Sequence, residues 1–273
     1  MRRSLVNAFL AAGMIVGLLA PVSAAAAPAL PNSMAALGDS ITRAYDVCCS
    51  YRDHPGQSWS TGGVWYDGIS SHYERIKRRN SAITGHAYND AVTGAKMAAA
   101  PAQARAAAAQ HADYVTVLLG ANDLCTSSPS TMTSTDTFEA QLRQAMAVLK
   151  QELPQARIFV SSIPDIYQLW KVLHTNRVAR TVWATAHICP SMLAATRTEA
   201  QRQQVVAREA AFNQVLAEGC HQYGANCRWD GGVTYSYKFS ASQVSVLDFF
   251  HPDLDGQAAL ASVTWAASWW PTT

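Results

Sequence analysis

The residue that could act as a nucleophile is Ser40, which follows a short apolar run. Residues 34–37 (MAAL) are wholly apolar, which is typical of a strand buried on both faces of a parallel sheet. Gly38 then lets the backbone turn sharply. A serine at the carboxyl end of such a strand lies in a crevice whose backbone N–H groups favour negative charge. Because a serine hydroxyl alone is a weak nucleophile, the chain must also supply a base, a group that orients the base, and an oxyanion site.

Asp248 and His251 are the candidates for the orienting acid and the base. They stand three residues apart in the stretch 248–252 (DFFHP), where a turn can bring a carboxylate into contact with an imidazole. The carboxylate would hold one ring nitrogen as N–H and leave the other to accept a proton from Ser40. The alternative interpretation is a capped helix start without chemistry.

Gly94 and Asn122 are the candidates for stabilising an oxyanion. Gly94 lies in a tight loop that leads into a predicted helix, and its backbone N–H could point into the crevice; alternatively, it is only a turn glycine. Asn122 follows the clearest strand of the chain, residues 114–119, and its side-chain amide could donate to an oxyanion. An Asn-Asp pair also makes a natural turn, which is the structural alternative.

The six cysteines indicate disulfides rather than a metal site. Zinc would require Cys-x-x-Cys pairs with matching histidines, which the sequence lacks, so no metal is predicted. The number is even, as expected of disulfides in a secreted chain. The candidate pairs are one that closes a short local loop, one assigned by elimination, and one of adjacent residues whose disulfide would be strained: Cys220–Cys227, Cys125–Cys189 and Cys48–Cys49.

Residues 1–27 have the pattern of a secretory signal peptide. Arg2 and Arg3 form a basic start, residues 5–19 are apolar, and small residues follow, so cleavage is expected between Ala24 and Ala27. An uncleaved anchor is the alternative, although the apolar run is short for a membrane span. We therefore expect a secreted protein with a single domain over residues 28–273.

Charge and composition narrow the possible partners. Without Arg2 and Arg3, basic and acidic residues balance at 19 each, so charge gives no support for nucleic acid or an anionic membrane as partner. No later apolar run is long enough to span a bilayer, which predicts no stable membrane insertion. Nearly half of the residues are apolar, which is ample for a packed core.

Hydrophobic periodicity and turn residues predict the elements that must position these side chains. Capping residues, prolines and glycines set most of the boundaries. The predictions are helices over 41–45, 63–80, 98–109, 134–153, 198–219 and 254–269, strands over 34–37, 82–87, 114–119 and 156–163, long loops over 46–63 and 220–232, and an ambiguous stretch over 165–197.

Four of these blocks, in this order, resemble the SGNH, or GDSL, hydrolases. The blocks are residues 38–40 (GDS), Gly94, residues 120–123 (GAND) and residues 248–252 (DFFHP). The flanking sequence is similar to that of secreted bacterial esterases and lipases and of phospholipase B-like enzymes. The resemblance implies a flavodoxin-like α/β fold, a three-layer α/β/α sandwich with a parallel sheet of about five strands.

The resemblance also implies the role of each site residue. Ser40 would be the nucleophile, His251 the base and Asp248 its orienter. The N–H groups of Ser40 and Gly94 and the amide of Asn122 would form the oxyanion hole. No metal or organic cofactor is implied.

The expected activity is therefore two-step cleavage of a small-molecule or lipid ester by a monomeric esterase or lipase. Short acyl chains are expected, since the sequence shows no amphipathic insert of the kind that forms a lid. The alternatives are a carbohydrate O-deacetylase, a phospholipase or a non-catalytic secreted binding protein.

Overall fold

Five parallel strands form a single sheet in the order β2-β1-β3-β4-β5. A computed structural model describes residues 27–271, so the predicted signal peptide lies outside the described residues except for Ala27. The strands are β1 (Met34–Gly38), β2 (Ala87–Asn89), β3 (Tyr114–Leu118), β4 (Arg157–Val160) and β5 (Cys227–Trp229).

Helices cover both faces of this sheet. They are α1 (His72–Lys77), α2 (Ala100–Ala109), α3 (Ala121–Leu124), α4 (Thr135–Glu152), α5 (Ile166–Leu173), α6 (Arg177–Thr185), α7 (Pro190–Leu193), α8 (Glu199–Tyr223), α9 (Val233–Ser236) and α10 (Leu254–Ala267).

Side chains of β1 alternate between two hydrophobic clusters, as the period of a strand requires. Ala35 and Leu37 join a large cluster with residues of α2, α4 and α8, whereas Met34 joins a smaller cluster with residues of α1 and α10. All five residues of β1 are buried, as expected of a strand covered on both faces. The predicted three-layer α/β/α fold with five parallel strands is therefore confirmed.

The register of the sheet brings the site-bearing loops to one edge. Gly38 is the residue of β1 that lies opposite Leu118 of β3, and both strands run in the same direction. The chain therefore leaves β1 toward Ser40 and leaves β3 toward Asn122 at neighbouring points, where open α/β sheets bind their ligands.

The predicted helix over residues 41–45 is wrong. Residues 40–46 form consecutive turns, in which the N–H of Tyr45 donates to the carbonyl of Ser40 at 2.9 Å. Ala44 and Asp46 have left-handed φ values of 49° and 55°, which a right-handed helix cannot accommodate.

The helix predicted over residues 63–80 is correct only in its last part. Tyr66 has a φ of 71°, so the backbone before α1 is not helical. The helix begins after Ser71, whose hydroxyl accepts from the N–H of Glu74 in a capping box. The strand predicted over 82–87 is displaced, since residues Ser81–Ile83 form a 3₁₀ turn and β2 begins at Ala87.

The loop predicted over residues 220–232 contains parts of two regular elements. Helix α8 continues to Tyr223, because Leu216, Cys220 and Tyr223 are buried on one face at helical spacing. Residues Cys227–Trp229 then form β5, the fifth strand of the sheet. The ambiguous stretch 165–197 resolves into α5, α6 and α7.

Two of the three candidate cysteine pairs are bonded. Disulfides join Cys125 to Cys189 and Cys220 to Cys227, as predicted. Cys48 and Cys49 are free thiols whose sulfur atoms lie 2.9 Å apart. Within residues 27–271, none of the helices combines the length and apolar character needed to span a bilayer.

Candidate active site

Ser40, His251 and Asp248 form one continuous hydrogen-bonded chain. Ser40 Oγ lies 2.8 Å from His251 Nε2, although the two residues are 211 positions apart in the sequence. His251 Nδ1 makes a short hydrogen bond with Asp248 Oδ2. This geometry lets the imidazole accept the serine proton at one nitrogen while the carboxylate holds its other N–H.

Two further hydrogen bonds fix the Asp248 carboxylate in its turn. Its Oδ1 atom accepts from the backbone N–H of Phe250 at 2.9 Å and from that of His251 at 3.1 Å. Burial tends to raise the pKa of Asp248, but the hydrogen bond and charge of His251 outweigh it, so the pKa lies below its ordinary value. Asp248 is therefore ionised and available to orient the ring.

Side chains from distant segments hold the turn that carries Asp248 and His251. Phe249 has a left-handed φ of 56°. The indole N–H of Trp183 donates to the Phe249 carbonyl at 3.0 Å, and the Tyr51 hydroxyl donates to the Leu247 carbonyl at 2.8 Å. The sequence does not predict these two hydrogen bonds, because each acceptor is a backbone carbonyl far along the chain from its donor.

A hydrogen bond joins the two loops that carry the candidate oxyanion donors Asn122 and Gly94. Asn122 Nδ2 donates to the Ala95 carbonyl at 3.1 Å, which ties the loop of Gly94 to the loop after β3. Gly94 has a φ of 81°, a conformation that favours glycine. Among the described residues, no backbone carbonyl accepts a hydrogen bond from the N–H of Ser40 or of Gly94. Both donors are therefore free to bind a negatively charged oxygen.

Asp39, the residue before Ser40, contacts both the turn after the serine and Asn122. It is fully buried, and its Oδ1 atom accepts from the N–H of Ile41 at 2.9 Å. Its Oδ2 atom lies 3.5 Å from Asn122 Nδ2, so it faces the amide that could bind an oxyanion. Burial raises the pKa of Asp39 to about 7.

Two buried glutamines clamp the backbone on either side of Ser40. Gln103 of α2 donates to the Gly38 carbonyl at 2.9 Å and accepts from the Gly38 N–H at 2.8 Å. Gln257 of α10 donates to the Ile41 carbonyl at 2.8 Å and accepts from the Trp59 N–H at 2.9 Å. Neither glutamine was a predicted site residue, since only the fold brings them to this loop.

Gly38→Ala is expected to lower the free energy of unfolding by about 1–3 kcal/mol. An added Cβ would lie 2.3 Å from Oγ1 of the buried Thr42 and 3.1 Å from the Leu118 carbonyl oxygen. Urea unfolding measures the change. Gly219→Ala is the matched control, because its Cβ would meet only the flexible side chain of Leu142. A Gly38→Ala protein as stable as the control would contradict the close packing of this turn.

Two acids lie beside His251 and, with it, bring potential metal ligands together. Among the described residues, Asp46, Asp248 and His251 form a cluster whose potential ligand atoms lie within 4.8 Å of one another. Both ring nitrogens of His251 already have partners, Ser40 at Nε2 and Asp248 at Nδ1. A cation at this cluster would have to displace one of them.

An apolar cavity of about 60 Å³ lies beside the loops that carry the predicted site residues. Ile41, Ala121 and Phe250, the immediate neighbours of Ser40, Asn122 and His251, line it together with Ile166 and Leu169 of α5. A larger groove of about 430 Å³ lies between α4 and α8 and contains none of the predicted site residues. The small cavity, unlike this groove, therefore lies beside residues that adjoin the predicted site residues in the sequence.

Comparison with known proteins agrees with the four motifs. The sequence profile of the GDSL-like Lipase/Acylhydrolase family matches residues 34–263. Phospholipase B1, membrane-associated, from Rattus norvegicus is 25% identical over an alignment of 222 positions that covers 68% of this chain and 15% of the rat protein. The chain thus matches about one seventh of that relative's length.

Solved structures share the fold at low sequence identity. An extracellular lipase from Streptomyces rimosus has a TM-score of 0.52 and 16% identity, covering 86% of this chain and 99% of the lipase. A catalytic mutant of an acetylxylan esterase from Geobacillus stearothermophilus has a TM-score of 0.51 and 15% identity, covering 87% of this chain and 95% of the esterase.

Proposed function

The chain belongs to the GDSL-like lipase/acylhydrolase family, and on that premise we propose that it cleaves carboxylic esters through an acyl-enzyme formed on Ser40. The family assignment makes it an ester hydrolase of the lipase or esterase type. The assignment of individual residues rests on one observation, the 2.8 Å contact between Ser40 Oγ and His251 Nε2.

In the first step, Ser40 Oγ attacks the ester carbonyl carbon while His251 Nε2 takes the serine proton. The developing oxyanion receives hydrogen bonds from the N–H groups of Ser40 and Gly94 and from the Asn122 amide. Asp248 holds the ring and stabilises the imidazolium. His251 then gives its proton to the departing alkoxide, which leaves as an alcohol. The acyl group stays bonded to Ser40 Oγ as the acyl-enzyme.

In the second step, His251 deprotonates a water molecule that attacks the acyl carbonyl. The same three donors stabilise the second oxyanion. Its collapse breaks the bond to Ser40 Oγ, which regains a proton from His251 while the carboxylic acid departs. The cycle returns every residue to its starting state and uses no metal or organic cofactor.

Labelling with a fluorophosphonate tests the nucleophile directly. The serine oxygen would displace fluoride and keep the phosphonyl group, so peptide mapping should locate the added mass on Ser40. Hydrolysis of nitrophenyl acetate should be lost in proportion to labelling. A correctly folded protein that takes up no label and is inert toward a broad ester panel would instead favour a non-catalytic binding protein.

The size of the apolar cavity supports a short acyl group. Its volume of about 60 Å³ is small beside the groove of about 430 Å³ between α4 and α8. A short acyl chain such as acetyl fits this space, whereas a long chain would have to extend beyond it. Among esterase activities, the cavity therefore favours short-chain esters, and carbohydrate O-deacetylation is the second candidate function.

Leu169→Ala is expected to increase the rate on nitrophenyl hexanoate relative to acetate by about 10-fold, since shortening this side chain enlarges the cavity. Leu173→Ala is the matched control: Leu173 is also buried in α5 but does not line the cavity. Rates on nitrophenyl esters of increasing chain length measure both. An unchanged chain-length profile in Leu169→Ala would contradict the assignment of the cavity to the acyl group.

We also propose that the protein acts outside the cell. The two disulfides, Cys125–Cys189 and Cys220–Cys227, are typical of proteins that mature in an oxidising environment. Natural substrates could be acetylated carbohydrates or lipid esters. Parallel assays on acetylated xylan fragments and on phosphatidylcholine vesicles separate these two classes.

A further inference from the structure

A second acid, Asp46, lies behind the Asp248–His251 pair and has no role in the mechanism above. It is 1% exposed. One oxygen of its carboxylate, one of Asp248 and a ring nitrogen of His251 lie within 4.8 Å of one another. Within the described part of the chain, no group donates a hydrogen bond to the buried Oδ1 atom of Asp46. Burying a carboxylate oxygen without a donor, beside a second carboxylate, costs free energy. Such a group therefore calls for an explanation, and a functional role is one.

The backbone holds Asp46 in this position. Its φ of 55° lies in the left-handed region, which costs free energy for a residue other than glycine. Its N–H donates to the Arg52 carbonyl at 3.0 Å, and its carbonyl accepts from the hydroxyl of Ser245 at 2.5 Å. The second of these bonds ties Asp46 to the segment that leads into Asp248. The position of the side chain is therefore set by both segments together.

Other titratable groups surround this cluster and must be distinguished from Asp46. The ring of Tyr45 packs edge-on against His251 at 5.2 Å between centroids. Tyr51 and Asp53 lie near Tyr45, and Asp53 pairs with Arg43 at 2.9 Å. Asp39 interacts with His251 from the side of Ser40. Asp46 is the acid of this group that also acts on Asp248.

We propose that Asp46 is a positioning residue which forms a carboxyl pair with Asp248 and thereby controls how strongly His251 holds a proton. The proposal rests on the function assigned above, because it takes His251 to be the general base. No hydrogen bond joins Asp46 to Ser40 within residues 27–271, so its effect passes through Asp248 and His251.

The charge of the carboxyl pair changes with pH. Burial, and next the negative charge of Asp248, raise the pKa of Asp46 to about 6. Below that pH Asp46 carries a proton, which it can donate to Asp248, and the pair has one negative charge. Above it the pair has two negative charges, which favour the protonated imidazole. The second charge therefore stabilises the imidazolium of the transition state.

Asp46→Asn tests this proposal through the pH dependence of kcat/KM for nitrophenyl acetate. Asparagine tolerates left-handed φ values and keeps the shape of the side chain but never ionises. The acid limb of the profile should move to lower pH by about 0.5 unit or more, the direction expected when one charge near the base is removed. Plateau kcat should fall about 3- to 10-fold, since the imidazolium loses one charge that stabilises it.

Two controls separate this effect from general loss of charge or structure. Asp136→Asn removes one exposed acid from the first turn of α4 and should leave the acid limb unmoved. Asp46→Gly removes the same carboxylate with a residue suited to positive φ, and should shift the limb as Asp46→Asn does. If the acid limbs of both Asp46 variants lie within about 0.2 pH unit of the wild-type limb, the proposal is overturned.

Fluorophosphonate labelling distinguishes failure of this proposal from failure of the proposed function. Wild-type protein that labels on Ser40, together with unshifted Asp46 variants, overturns the role of Asp46 alone. Wild-type protein that does not label overturns the nucleophile assignment and this proposal with it. Labelled variants with the shifted acid limb support both.

Discussion

Ser40→Ala is expected to reduce kcat for ester hydrolysis by about 10⁴- to 10⁶-fold, the loss found when the nucleophile of a comparable triad is removed. The side chain is buried but small, and its hydroxyl contributes one hydrogen bond to His251, so the fold should persist. Initial rates on nitrophenyl acetate measure the loss, and circular dichroism with thermal unfolding checks the structure. Any residual rate reflects oxyanion stabilisation and binding.

Ser130→Ala provides the control for that experiment. Ser130 is exposed, and its hydroxyl lies 2.9 Å from that of Ser128, so its removal should leave the rate unchanged. A folded Ser40→Ala protein that retained a substantial share of wild-type turnover would show that the nucleophile is another group.

His251→Ala and Asp248→Asn are expected to differ in severity. Removing the imidazole deletes the base and should cost about 10⁴-fold or more in kcat. Asp248→Asn keeps a polar side chain that still accepts from the N–H groups of Phe250 and His251, so ring orientation is partly retained and the loss should be smaller, about 10²- to 10⁴-fold. Steady-state kinetics of both variants at several pH values measure the difference.

The comparison also has a clear contrary result. His86→Ala, which removes an exposed histidine, should behave as wild type. Equal and complete loss of activity in Asp248→Asn and His251→Ala, with both proteins folded, would mean that Asp248 does more than orient the ring.

The sequence predicts best where local pattern and burial agree. The apolar runs of β1 and β3, each followed by glycine and polar residues, identify the edge of the sheet at which Ser40 and Asn122 lie. The buried apolar face predicted for α4 and its N-cap at Ser134 are also correct, because helical periodicity and capping are local properties. The structure brings together the predicted Ser40, Asp248 and His251 as the family resemblance implies.

Prediction is weaker where backbone conformation depends on distant partners. Residues 40–46 contain enough helix-forming side chains to indicate a helix, yet the carbonyl of Ile41 is held by Gln257 and that of Asp46 by Ser245. These partners lie about two hundred positions away, so no local window contains the signal. Asp46 and the two glutamines were missed for the same reason, and β5 was missed because its three residues, which begin at the disulfide cysteine Cys227, look like part of a loop.

The hydrogen bonds made by Gln257 bear on when the site forms during folding. This residue of α10 spans 216 positions to the Ile41 carbonyl and 198 positions to the Trp59 N–H. Closing such long loops is slow and entropically costly, so these contacts form late in folding. Sheet and helix formation can be well advanced while the hydroxyl of Ser40 still lacks its imidazole. Regain of catalytic turnover during refolding is therefore expected to follow the docking of α10, rather than the first pairing of the strands.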